Sequence, residues 1–207
     1  MRPPSHLSGR LSCAAVATAV ALSWGAPAFA QDAPSQNNAE MAAIFAADQA
    51  VRQNISPEKF HDRAFVTEMI AADAARRVQT RALLEAGALR TGDDYRAAAF
   101  VFQHGSTPED YLLAHTLAVA ATARGADGSW IAAATLDRYL QMTDKPQIYG
   151  TQTRKTRDEP ATLEPYDRAL IPDTLRTALA VPPQSEQDAR LAAVNAAAPV
   201  DKPTSQP

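Results

Sequence analysis

The chain has 207 residues, with 20 Lys and Arg against 23 Asp and Glu, a formal net charge of −3 and one cysteine. So mild an acidic balance leaves no electrostatic footprint for nucleic acid or for an anionic lipid surface. A single cysteine excludes an internal disulfide.

In chain order, Arg2 and Arg10 precede an apolar run from Cys13 to Trp24 that leads into A-P-A-F-A at 26–30. A positive start, a short apolar stretch and an A-x-A site are the pattern of a secretory signal, so residues 1–30 read as a signal peptide with cleavage expected after Ala30. The run falls short of the roughly 20 residues a membrane span needs. The expectation is a periplasmic or secreted protein with no membrane insertion after signal cleavage. Cys13 lies inside the signal, which argues against a lipid anchor.

Residues 31–38 form a polar leader, and a compact all-α domain of five to six helices is expected over 39–180. Alanine is abundant there and strand-like alternation is missing. The pattern predicts helices near 39–54, 58–86, 93–103, 108–124, 129–142 and 167–180. T-G-D-D at 91–94 and T-P-E-D at 107–110 each place a Thr at the N-cap and an acid three residues on. Gly105 and Gly125 stand where helices should stop. Residues 158–168, with Pro160 and Pro165, read as an extended connector. The tail, 181–207, carries Pro182, Pro183, Pro199, Pro203 and Pro207 and few large apolar side chains, so it is expected to stay disordered.

Helical-wheel positions at 100° per residue put several ionisable groups inside apolar stripes. Asp48 and Arg52, spaced i and i+4, lie among Met41, Ile44, Phe45, Val51 and Ile55. His115 falls with Tyr111, Leu112, Ala118 and Val119. Asp137 falls between Ala133 and Trp130, with Arg138 on its flank. Burying such charges costs several kcal/mol unless they are paired. The segment Q-I-Y-G-T-Q at 147–152 supplies neutral donors and acceptors, and one polar network capped by this loop is expected. Arg63, Arg77 and Arg81, near Asp73 and Glu85, read instead as a solvated face. His61 reads as a surface residue.

D-Q-A-V-R at 48–52, F-Q-H-G at 102–105, L-D-R at 136–138 and P-Q-I-Y-G-T-Q at 146–152 resemble, in that order, a bacterial family of helical domains of unknown function marked by a Y-G-T-Q signature. The resemblance covers roughly residues 40–180. It implies that Asp48, Gln49, Arg52, Gln103, His104, Asp137, Arg138, Gln147, Tyr149, Gly150 and Gln152 match the signature, and it implies no chemistry.

Three functions suit these residues. The network can be structural, fixing helix register. It can bind a small anionic or peptide ligand through Asp48, Gln49, Arg52, Arg138, Gln147, Tyr149 and Gln152, since the guanidinium fork suits carboxylate and phosphate. Or His104 or His115, paired with Asp48 or Asp137, can act as the acid-base pair of a periplasmic hydrolase. No G-x-S-x-G, H-E-x-x-H or S-x-x-K string is present to name that chemistry. His104 and His115 lie on either side of a helix break, which does not suit a zinc pair on one helix. No metal or other cofactor is expected.

Overall fold

The computed structural model describes residues 36–53, 55–156 and 159–197, which form seven α-helices and no named strand. The expected signal peptide lies outside the described residues, as do most of the leader and the end of the tail. None of the described helices is long and apolar enough to cross a membrane.

Helix α1, Ala39–Ala50, starts where the Asn38 side chain accepts from the Met41 amide, and it buries Met41, Ile44 and Asp48 at spacings of three and four. It stops four residues short of expectation, in a turn at 51–53. The long second helix is also divided. Residues Pro57–His61 form a 3₁₀ turn, and Asp62, in extended backbone, caps α2, Arg63–Glu85, by accepting from the Ala64 and Phe65 amides.

Helix α3, Gly92–Phe102, begins with a reciprocal box in which Thr91 and Asp94 satisfy each other's backbone amides. Asp94 also accepts from the Asn38 amide at 2.7 Å, which ties the starts of α1 and α3 together. Helix α4, Pro108–Ala123, is capped by Thr107, and α5 spans Ser129–Met142. Helix α3 packs against α1, α2 and α4, and α4 packs against α5. Alanines at 97, 98, 99, 114 and 118 let these helices approach closely around Met41, Val101, Phe102, Leu117 and Ile131. The expected stripe of α4 is rotated: Tyr111, Ala114, Leu117, Ala118 and Ala121 turn inward, whereas Leu112 and Val119 face out.

After α5 the chain runs through irregular segments held by isolated bridges, Gln147 with Tyr166 and Arg154 with Thr162. Helix α6 is shorter than predicted, Asp173–Ala178. Asp167 turns the preceding segment by accepting from the Ala169 and Leu170 amides, and Ala180 ends the helix at φ 55°. The tail needs a larger correction, because Gln184–Ala196 form α7. Its proline-free stretch follows Pro183, and polar groups dock it. Gln187 is buried, Asn195 makes reciprocal bonds with the Ala161 amide and carbonyl, and Gln184 donates to the Arg168 carbonyl. Docking by amides leaves no apolar stripe for a sequence pattern to reveal.

Candidate functional site

Asp48 and Asp73 are the centre of the first polar cluster. Asp48 is completely buried at the end of α1. Its carboxylate accepts from Arg52 at 3.1 Å and from Gln49 at 2.9 Å, with Arg76 Nε and His104 Nε2 each 3.6 Å away. Asp73, on α2, accepts from Arg52 at 2.7 Å and from Arg76 at 2.5 Å. Arg52 therefore bridges the two carboxylates, and with them α1 and α2.

The two acids respond differently to these surroundings. Burial pushes the Asp48 carboxyl above its usual range, more than Arg52, Gln49 and Arg76 pull it down. Burial also raises Asp73, but the hydrogen bonds from Arg52 and Arg76 outweigh it and hold that carboxyl below the usual range. His104 is pushed down to about 4 by burial and then by Arg52, with Arg138 and Arg76 acting the same way against the pull of Asp73. At neutral pH its imidazole is uncharged.

The turn after α3 fixes His104. Arg77 donates to the His104 carbonyl at 2.6 Å, Tyr111 Oη donates to the Gly105 carbonyl at 2.8 Å, and the Ser106 amide donates to Asp110. A Cβ on Gly105 would sit 2.2 Å from Asp110 Cβ, so only glycine lets the backbone pass so near α4.

A cavity of about 360 Å³, open to solvent, lies over this cluster, lined by Arg52, Phe60, Met69, Asp73, Gln103, His104, Gly105, Tyr111 and Arg138. The Arg138 guanidinium reaches it from α5 and lies 5.8 Å from the centre of the Tyr111 ring. Among the described residues Arg138 is paired with no carboxylate. A smaller cavity, about 180 Å³, lies between α7 and the 150–153 segment. Its lining holds one charged side chain, that of Arg190, whereas a third and more open cavity of about 560 Å³ is lined by Arg90, Asp93 and Arg124 but by no histidine.

The second cluster is built on Asp137, also completely buried. Its carboxylate accepts from the amides of Ile148, Tyr149 and Thr151 and from the Thr151 hydroxyl, at 2.8 to 3.0 Å. Gln147 donates to the carbonyls of Gln152 and Leu163 and accepts from the Gln152 amide, while Gln152 donates to the Ala134 carbonyl on α5. Arg176, fully buried, donates to the carbonyls of Tyr149 and Ile148, and Gln187 donates to that of Tyr149. Gly150 adopts φ +72°, and a Cβ there would meet Gln187 Oε1 at 2.5 Å and the Tyr166 ring at 2.7 Å. The Tyr149 phenol is pushed up by burial and by Asp137.

The single network expected from the sequence is thus two, and no hydrogen bond among the described residues joins them. Asp48, Gln49, Arg52, His104 and Arg138 belong to the first. Asp137, Gln147, Tyr149 and Gln152 belong to the second. Asp137 and Arg138 are neighbours about 100° apart around α5, which sends one side chain to the loop and the other to the cavity. His115 belongs to neither: it is half-buried, and its Nδ1 lies 2.9 Å from the Ala132 carbonyl, a tie between α4 and α5.

The solvated-face reading of α2 holds for Arg63, Arg81 and Glu85, which are exposed, and fails for Asp73, which is buried, and for Arg77, which is tied to the turn after α3. Arg76, buried beside Asp73, was not in that reading, and Arg176 and Gln187 had no place in the expected cluster. The signal for the first group was present: Met69, Asp73, Arg76, Thr80 and Leu83 recur at spacings of four and three, which is an inward stripe whatever its polarity. Among the described residues no three His, Cys, Asp or Glu side chains are grouped to hold a metal ion. No family model, curated protein or solved structure matches the chain.

Proposed function

We propose that this protein binds a small anion in the cavity over the Asp48–Asp73 cluster, with Arg138 and Arg52 as its cationic partners and the neutral His104 beside them. The observation that carries this reading is Arg138. It lines solvent-accessible space with no carboxylate of its own among the described residues, whereas Arg52, which lines the same cavity, and Arg76 beneath it are held by two. The local count is three guanidinium groups to two carboxylates, an excess of one positive charge that an anion would neutralise. Arginine's fork makes paired, charge-assisted bonds to carboxylate or phosphate. Hydrolysis is less well supported. His104 and Asp48 approach only to 3.6 Å, and no Ser, Thr or Cys is among the residues lining the cavity.

In this reading the protein is exported and belongs with the helical Y-G-T-Q family it resembles. The signal-like start and the order of the four motifs support both statements. N-terminal sequencing of the envelope fraction should give Gln31 as the first residue. Titration with acetate and with inorganic phosphate, followed by amide chemical shifts, should move resonances of residues 103–105 and 138 in the parent protein. In Arg138→Ala the affinity should fall by about tenfold or more, the loss of one charge-assisted bond. Equal affinities in the two proteins would end the proposal.

A further inference from the structure

We infer that the anion taken by this site is a carboxylate carrying an apolar group, aryl or branched alkyl, whose tail lies against Phe60 and Met69. The inference rests on the anion-binding reading and names the ligand class within it.

The lining divides by chemistry along α2. Asp73 is i+4 to Met69, so the two share a face one turn apart, with the charged groups at Asp73 and the apolar side chain nearer the start of the helix. Phe60, on the 3₁₀ turn before α2, lines the same cavity and is 54% exposed, a large apolar ring in contact with water. Tyr111 adds only its ring face, because its hydroxyl already donates to the Gly105 carbonyl. An inorganic ion held at Arg138 would leave the Phe60 and Met69 end wet. A ligand with an apolar tail would cover it and gain the transfer free energy. At about 360 Å³ the cavity falls in the range of small-molecule sites, about 300 to 1,000 Å³.

Charge points the same way. One uncompensated guanidinium suits a monoanion, and a phosphate dianion would leave a surplus negative charge beside Asp73. The Gln103 amide, which also lines the cavity, can donate to the second carboxylate oxygen.

The test is calorimetric titration of the mature protein with 3-phenylpropionate, its amide, acetate, inorganic phosphate and a short peptide ending in free phenylalanine. The expected result is 3-phenylpropionate about tenfold tighter than acetate or phosphate, with the amide about tenfold weaker than its acid. In a Phe60→Ser, Met69→Gln variant that melts like the parent, the advantage of 3-phenylpropionate over acetate should shrink to near unity. The peptide separates two sources of the same chemistry: comparable affinity would show that the carboxyl terminus of a polypeptide also serves, and weaker binding would show that the site prefers the free acid. Acetate and phosphate binding as tightly as 3-phenylpropionate would overturn the inference and leave the anion site standing. Binding of none of them, or equal binding of acid and amide, would overturn both.

Discussion

Asp137 and Asp48 are equally buried, yet the protein treats them in opposite ways. Asp137 accepts from three backbone amides and a hydroxyl, groups whose positions are set by the backbone itself. Asp48 relies on the tips of long side chains from α1, α2 and the turn after α3, and two of its neighbours stop at 3.6 Å. Consistent with that looseness, Arg76 Nε and His104 Nε2 are buried with no hydrogen-bond partner among the described residues. The first arrangement locks a loop. The second holds charge near solvent with bonding capacity left over, which is the condition for binding something else.

The sharpest way to break this contrast is Asp137→Ala. Four donors would lose their acceptor at once, three of them backbone amides with nowhere else to turn. The expected loss is about 4 kcal/mol in urea denaturation, with the 147–152 amides exchanging early by hydrogen-exchange mass spectrometry. A loss below about 1 kcal/mol would mean that the loop is held by Arg176 and Gln187 alone.

Next comes the pair inside the cavity cluster. Asp73→Asn should cost about 3 kcal/mol, because that carboxylate is held in its charged form by Arg52 and Arg76, and its loss leaves Arg52 with Asp48 alone and Arg76 with only a 3.6 Å approach to it. Asp48→Asn should cost clearly less at neutral pH, since burial already disfavours the Asp48 charge. The reverse order in thermal melts would contradict the assignment of the two acids.

Why one cluster was legible and the other only half so has a physical answer. Asp48 with Arg52, and Asp137, stood out because each interrupts an apolar stripe. The Thr91 and Thr107 caps stood out because capping needs particular residues at particular spacings. Asp73 and Arg76 failed the same test: α2 is rich in charge, so an inward stripe that itself contains charge looks like one more wet face. Arg176, Gln187 and Asn195 were invisible for a different reason. They bind backbone carbonyls and amides of distant segments, and backbone partners leave no residue-type pattern. The loop did meet a buried acid, as its composition suggested. Nothing in the sequence said that Arg138, one residue on, would face another neighbour.

Acid pH separates the clusters again. His104 is held near 4, below its ordinary 6.5. Between those values the unfolded protein takes up a proton that the fold refuses. The contribution is therefore complete above about pH 6.5 and lost as pH falls toward 4, about 2 kcal/mol once its partial exposure is allowed for. Asp73 loses its contribution only below the ordinary aspartate range, and Asp48, raised by burial, works in the opposite sense. Stability measured from pH 7 to 4 should fall in the parent and stay flatter in His104→Asn. Parallel curves would show that His104 is not held neutral by the fold. In the locked loop, Gly150→Ala should cost about 1 to 2 kcal/mol, since φ +72° is strained for alanine and the new Cβ must displace Gln187 or Tyr166.

The smallest expected stability change belongs to Arg138→Ala, and it sharpens the contrast most. Arg138 has no ion pair among the described residues, and its guanidinium lies against the face of Tyr111, whose hydroxyl is anchored independently at Gly105. Removing it deletes one cation over a ring and leaves no buried carboxylate stranded, so chemical denaturation should register about 0.5 kcal/mol or less. With Arg138 gone His104 also loses one of the charges that suppress its protonation, and its NMR titration midpoint should move upward. A residue that contributes so little to the fold while it biases the charge of the cavity is placed for a ligand. Were Arg138→Ala to cost as much as Asp73→Asn, the guanidinium would be a structural strut and the first cluster would be locked in the manner of the second.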